Sequence, residues 1–276
     1  MFLEILKAVL IGIVQGITEW LPISSTGHMI IINELVKLDV SDAFMSMFEV
    51  VIQFGSILAV IVLYFNKLNP FAPSKSALEK TNTWKLWLHV LVAMIPTGIA
   101  GVLLDDLLDK YFYNYVTVGI ALFVYGVAFI VIERVHKNKK PKYETVYDIT
   151  YMTALLIGFV QILALVPGTS RSGSTILGAL ILGASRTAGA EFSFFLAVPV
   201  MFGASALKLL KFFLGGNILV ASEWIYLGVG MAVAFAVSLV AIKFLMSYIK
   251  KKDFTAFGIY RIILAAAVFV YFLIVR

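Results

Sequence analysis

The chain has 276 residues, of which 61% are hydrophobic and only 14% charged, and its mean hydropathy is +0.98. Soluble domains hold about 45–50% apolar and ~25% charged residues. A soluble fold of this size could not hide so much apolar surface, so a bilayer is the natural solvent. The net charge of +6 fits basic cytoplasmic loops rather than a nucleic-acid partner. Without cysteine, disulfides, thiolate catalysis and cysteine-ligated metals are excluded.

In chain order, the first region, about 3–37, is apolar but broken by Pro22-Ile23-Ser24-Ser25-Thr26-Gly27-His28. It does not read as a signal peptide, because only Lys7 is basic and Glu4, Gln15 and Glu19 interrupt it; it is taken as part of the mature protein. Proline and glycine end helices. Non-helical backbone survives at membrane depth only beneath protein or in a water-filled cavity. The region therefore predicts a helix, a loop and a second helix that enter and leave on one side. Three spans follow, at about 45–66, 84–104 and 114–134, each near the ~20 residues a crossing needs. The region about 147–185 repeats the broken design around Pro167-Gly168-Thr169-Ser170-Arg171-Ser172-Gly173-Ser174-Thr175, and three more spans follow at about 187–210, 222–247 and 255–275.

Charge sets the expected orientation. Lys67, Lys75, Lys80 and Lys85 crowd one stretch; Arg134, Lys137, Lys139, Lys140 and Lys142 crowd a second, beside Glu133 and Glu144; Lys250-Lys251-Lys252 form a third. Basic loops stay cytoplasmic, so 67–83, 135–146 and 249–254 are expected inside and both termini outside. Asp39, Asp42, Glu49, Asp105, Asp106 and Asp109 then suit the outer face.

The two halves, about 1–135 and 145–276 of a single membrane domain, also resemble one another. Gly12-Ile13-Val14-Gln15 matches Gly158-Phe159-Val160-Gln161, each followed by a proline, Pro22 or Pro167. Aligning the prolines places Ser24-Ser25 on Thr169-Ser170. Phe54-x-x-x-Leu58-Ala59-Val60 matches Phe192-x-x-x-Leu196-Ala197-Val198. Each half is thus a broken re-entrant hairpin plus three transmembrane helices. Three is odd, so the second half is inverted. The expected fold is an all-α polytopic membrane protein with an inverted-topology repeat, an architecture that gathers broken helices at one site within the membrane.

Gln15 and Glu19 are four apart and share one helix face. A carboxylate in an apolar helix is costly and usually functional, although near a helix end it can also simply reach water. An amide oxygen beside a carboxylate suits a hard cation, Mg²⁺ or Ca²⁺, whose shell phosphate oxygens and waters would complete. Ser24 reads as the cap of the helix that follows. Ser25 is a candidate nucleophile or phosphate ligand, and His28 its acid–base partner; Thr26 adds a further hydroxyl. In the second break, Gly168 and Gly173 free the backbone, while Thr169, Ser170, Ser172, Ser174 and Thr175 supply hydroxyls at a helix N-terminus. Arg171 brings a planar fork suited to phosphate; its alternative is an ion pair with Glu19 or a lipid headgroup. No Gly-Lys-Ser/Thr closes this loop, so it is not a Walker A motif. The histidines, His28, His89 and His136, do not cluster in sequence. Glu191 reads as a complement to a helix dipole, Lys243 and Arg261 as snorkelling side chains, and Glu49 and Gln53 as candidates to touch the site.

These motifs, Gln15-x-x-x-Glu19, Pro22-x-Ser24-Ser25-Thr26-Gly27-His28 and Pro167-Gly168-x-Ser170-Arg171-Ser172-Gly173-x-Thr175, resemble the undecaprenyl-diphosphate phosphatase family of the BacA type, and the likeness runs the whole chain. It includes Glu191-Phe192-Ser193-Phe194 and Gln53-Phe54-Gly55-Ser56-Ile57-Leu58-Ala59-Val60. The resemblance implies removal of the terminal phosphate from a C55 polyprenyl diphosphate in a bacterial cell membrane. That recycles the cell-wall lipid carrier and confers bacitracin resistance. It also implies catalytic positions at Glu19, Ser25, His28 and Arg171. The family often has Glu where this chain has Gln15, which shifts the weight of a metal site to Glu19. The expected mechanism sets Glu19, helped by Gln15, on a divalent cation and Arg171 with the 168–175 amides on the terminal phosphoryl group. Ser25 or a water attacks, and His28 moves the proton. The rival class is a transporter or flippase of a polyprenyl phosphate lipid, since inverted repeats also mark transporters. A homodimer stays open.

Overall fold

A computed structural model describes residues 1–275; the side chains of Asp105, Asp106 and Asp109, and with them their expected place on the outer face, lie outside the described residues. Among those residues the regular structure is helical. The first region folds as α1 (Phe2–Thr18) and α2 (Ser25–Leu35), followed by α3 (Asp42–Leu63), the short α4 (Phe65–Leu68), α5 (Ala77–Phe112) and α6 (Tyr115–His136). The second region folds as α7 (Tyr151–Ile162) and α8 (Arg171–Ile181), with a 3₁₀ turn at Leu163–Leu165 between them, followed by α9 (Arg186–Leu214), α10 (Ala221–Ile249) and α11 (Thr255–Val275). Six of these helices, α3, α5, α6, α9, α10 and α11, are long and apolar enough to cross a membrane. They match the six spans read from hydropathy, and the chain is a multi-pass membrane protein.

The helices extend further into the basic stretches than loops would. Residues 77–83 already belong to α5, and Glu133 and Arg134 belong to α6. Glu133 is buried and accepts hydrogen bonds from the Arg186 guanidinium and from Phe254 N, at 3.0 Å for the latter. It therefore ties α6 to α9 and to the start of α11 instead of tempering a loop's charge.

Packing follows a pattern of exchanged partners. α1 lies on α10 as α7 lies on α5, α6 touches α8 as α11 touches α2, and α3 packs on α9 and α6 on α11. The α6–α11 crossing is closest at paired glycines: a Cβ on Gly126 would meet Gly258 O at 2.8 Å, and one on Gly258 would meet Gly126 O at 2.7 Å. No other side chain fits there without the helices moving apart. The largest apolar cluster runs from Trp20 and Ile23 through α5, α7, α8 and α9 to Phe254, so the broken segments sit inside the bundle, and both polar loops lie against protein.

Both broken segments open their second helix in the same way. Ser24 has φ 73 and ψ 105, and Ser170 has φ 74 and ψ 123. Each side chain accepts a hydrogen bond at 3.1 Å from the amide three residues on, Gly27 N or Gly173 N. These matched caps correct the alignment expected from the prolines. Ser24 corresponds to Ser170, and Ser25 to Arg171, because the second loop has one more residue between its proline and its cap. Counted from the cap, Gln15 and Gln161 fall at the same distance.

Candidate active site

Glu19 closes α1 as its C-cap residue and is 6% exposed. Its two oxygens have separate partners: Gln15 Nε2 donates to Oε2 at 2.7 Å, and Arg171 Nη2 donates to Oε1 at 2.8 Å. The helical spacing of four explains the first contact; the second joins the first residue of α8 to the end of α1 across 152 positions. This is the ion pair weighed as Arg171's alternative, and it brings the two motifs to one point. Arg171 is held from other sides too. Nη1 donates to Ser193 O at 2.9 Å, and the guanidinium carbon lies 5.4 Å from the Trp20 ring centroid. Its Nε is buried without a hydrogen-bond partner, so a donor remains for an incoming acceptor.

His28 lies one turn into α2. Its Nδ1 lies 2.7 Å from Ser24 O, to which it donates, and its Nε2 lies 2.7 Å from the Tyr260 hydroxyl, which can donate or accept. An imidazole held at both nitrogens in this way is suited to moving a proton. Ser25 and Thr26 are partly exposed in the first turn, and their hydroxyls make no hydrogen bond among the described residues. The expected Ser25–His28 contact is absent there, because Tyr260 occupies His28 Nε2.

The hydroxyl-rich second loop is more inward-facing than its composition implies. Ser170 caps α8 and lies 3.2 Å from Ser172 Oγ; Ser172, Ser174 and Thr175 are buried. Ser174 donates to the Tyr125 hydroxyl at 3.3 Å, and Thr175 Oγ1 lies 2.6 Å from Ser193 Oγ. Thr175 thus fixes the residue that steadies Arg171. Gly168 adopts φ +91 and turns its carbonyl to Arg261. The cradle read from these hydroxyls narrows to the first α8 amides and Arg171.

Three other expectations move. Arg261 does not snorkel: it is fully buried, and its guanidinium reaches the carbonyls of both loops. Glu191 lies in the second turn of α9 and pairs with Lys67 Nζ at 2.6 Å, not with a helix dipole. Glu49 accepts from Asn33 and, at 3.2 Å, from the Tyr113 hydroxyl, and Gln53 makes no hydrogen bond among the described residues. Sequence reasoning passes over Trp20, Tyr125 and Tyr260, and names Ser193 only within the family-like stretch Glu191-Phe192-Ser193-Phe194 without a role. The aromatic ones look like lipid-facing or belt residues in sequence; Trp20, just past the end of α1, is fully buried.

Comparison with known proteins agrees with this arrangement. The family described as bacitracin resistance protein BacA matches residues 8–267. A protein of Enterococcus faecalis named undecaprenyl-diphosphatase is 57% identical over 273 residues, covering 99% of each chain. One of Clostridioides difficile named undecaprenyl-diphosphatase 1 is 58% identical over 270 residues, covering 98% of this chain and 97% of its own. One of Limosilactobacillus fermentum named undecaprenyl-diphosphatase is 56% identical over 270 residues, with 98% of both covered. With both broken loops lying inside the matched stretch, this chain belongs to the bacitracin resistance protein BacA family.

Proposed function

We propose that the chain is an integral membrane phosphatase. It hydrolyses undecaprenyl diphosphate to undecaprenyl phosphate and inorganic phosphate, which recycles the cell-wall lipid carrier and confers bacitracin resistance. The observation that carries the reading is the 2.8 Å contact between Arg171 and Glu19; Ser25 and Thr26, partly exposed, follow Glu19 in the same loop. It joins a phosphate-binding fork and a carboxylate from the two broken loops, and the reading takes Ser25 of the first loop as the candidate nucleophile. Diphosphate hydrolysis is mostly positioning and charge stabilisation. Arg171 turns from Glu19 to the terminal phosphoryl oxygens, with its unpartnered Nε and the first α8 amides as further donors. Ser25 Oγ attacks the terminal phosphorus in line, the bond to the bridging oxygen breaks and the prenyl phosphate leaves; a water then hydrolyses the phosphoserine, releasing inorganic phosphate and restoring Ser25. In the alternative, a water positioned by Ser25 attacks directly and inorganic phosphate is released in one step. His28 Nε2, on leaving the Tyr260 hydroxyl, takes the proton of the attacking group.

Gln15 and Glu19 fit a divalent cation only as part of a shell. Glu19 offers its carboxylate and Gln15, with its amide turned over, its carbonyl; phosphate oxygens and water would supply the rest. Among the described residues no group of three His, Cys, Asp or Glu gathers for a metal, so the lipid diphosphate has to be part of the site. When bound, Mg²⁺ or Ca²⁺ neutralises charge shared by the two phosphates.

The test is phosphate release from a polyprenyl diphosphate by the purified protein in detergent, with and without chelator. We expect release in this single compartment and its loss with chelator. A folded protein that releases none overturns the phosphatase reading and favours a flippase, which needs two compartments. The halves are proposed to sit inverted in the bacterial cell membrane, with the site open to the outer face. Single cysteines at Ser76, Lys139 and Lys251, all exposed, should resist an impermeant thiol reagent in intact cells; labelling of any one reverses the orientation.

A further inference from the structure

Arg261 lies on α11, in the second turn, and has no exposed surface. Its Nη1 donates to Pro22 O at 3.3 Å, in the first broken loop. Its Nη2 donates to Gly168 O and to Thr169 O, both at 2.9 Å, in the second. The guanidinium carbon stands 5.4 Å from the Tyr125 ring centroid. Room for the fork exists because residue 173 is glycine: a Cβ there would lie 3.2 Å from Nη1. Among the described residues no carboxylate faces it, whereas Arg171 is neutralised by Glu19. A buried arginine that meets only neutral carbonyls and a ring is expensive, and general stability does not call for one, since an apolar residue would pack a helix more cheaply. What only a guanidinium can do here is bind three carbonyls from two loops at once, its planar donors fixing their directions.

We infer that Arg261 is a positioning residue for the reaction, which sets the two broken loops in register through the Pro22, Gly168 and Thr169 carbonyls. Each trans peptide points its N–H opposite its C=O. Drawing Thr169 O to Arg261 therefore turns Ser170 N–H the other way and fixes the entry to α8, from which Arg171 reaches Glu19. Drawing Pro22 O to the same group fixes the segment that leads to Ser25. The same stretch of α11 also places Tyr260 on His28, so one helix governs the geometry of both loops without reaching Glu19.

The inference rests on the phosphatase reading. It is tested with Arg261→Lys and Arg261→Ala in the purified full chain, measuring kcat and KM for a polyprenyl diphosphate together with thermal melting in detergent. A misplacement of ~1 Å can cost 10²-fold. We therefore expect kcat to fall by at least about tenfold in Arg261→Lys, which keeps the charge but loses the fork, and further in Arg261→Ala, while KM stays within about threefold. Folded variants with the parent's kcat overturn the inference. So does a rise in KM with kcat unchanged, which makes Arg261 a substrate ligand. Loss of folded protein in both variants also overturns it, by assigning Arg261 to the stability of the bundle. A parent chain that releases no phosphate in the same preparation fails the phosphatase reading instead.

Discussion

The two broken helix pairs share a backbone and differ in chemistry. Each has a glutamine nine residues before a positive-φ cap serine and a glycine three residues after it, and each cap bond is 3.1 Å. Around that frame the side chains diverge. Where the first pair has Glu19, Ser25 and His28, the second has Leu165, Arg171 and Ser174. Gln15 donates to Glu19, but its counterpart Gln161 donates to Thr97 at 2.9 Å, within the bundle. The first loop carries a carboxylate and an imidazole, and the second carries a guanidinium; in the proposed mechanism neither loop suffices alone. The difference teaches that one backbone frame can aim different side chains, and that complementary charge on its two instances joins the loops through Arg171 and Glu19.

The sharpest way to break this comparison is to remove one charge of the pair. Glu19→Gln leaves Arg171 buried beside a neutral amide and removes the candidate cation ligand. Turnover should fall by about 10³-fold or more, because the cation that Glu19 would hold and the Arg171 that it orients are the groups that stabilise transferring phosphoryl charge. Arg171→Ala should fall comparably. A Glu19→Gln enzyme with full phosphate release would show that the first loop supplies no acid.

Arg171→Lys sharpens the comparison by keeping charge and losing the fork. Lysine cannot hold Glu19 and Ser193 O together as the guanidinium does, so kcat should drop at least about tenfold, the equivalent of ~1.4 kcal/mol. Ser25→Ala separates two chemistries. A loss close to that of Arg171→Ala identifies the serine as nucleophile, whereas a loss of about tenfold assigns attack to water.

Much of this was legible beforehand. Hydropathy located the six spans because ~20 apolar residues have few other uses. Pro22, Pro167 and the serines beside them marked both breaks. The repeat implied that the loops meet, and Arg171 does reach Glu19. What stayed hidden depends on rotation about a helix axis. Arg261 lies six residues into its helix, where a charged side chain can as easily reach water as turn inward, and only the packing of α11 against α6 and α2 decides. Glu191 and Lys67 are 124 positions apart, with no local pattern to join them. The serines of 170–175 were visible as donors, but whether a hydroxyl faces a ligand or caps its own helix is set by the turn's φ and ψ.

A milder change asks whether the first loop can carry more charge. Gln15→Glu puts a second carboxylate beside Glu19, within reach of Arg171. If a cation works at this point, activity should hold or rise and tolerate more chelator. Gln161→Glu should do neither, since its amide faces Thr97 in a closed interior and its Oε1 has no partner; burying a charge there should lower folded yield. Equal responses at the two glutamines would dissolve the functional division between the loops.

The smallest expected effects probe the frame itself. A non-glycine residue at positive φ costs of order 1–3 kcal/mol, and the cap hydrogen bond returns roughly 1 kcal/mol. Ser24→Ala and Ser170→Ala lose the bond and keep the strain, so both should lower the melting temperature in detergent. Ser24→Gly and Ser170→Gly lose the same bond but release the strain. Glycine's extra chain entropy works against this gain by only ~0.5–1 kcal/mol. Each glycine variant should therefore melt at or above its alanine counterpart, in the same order at both positions, although only one of the two loops bears Glu19's partner. If alanine outlasts glycine at Ser24 and not at Ser170, the shared φ values describe two unrelated turns, and the chemical division of labour has no common frame beneath it.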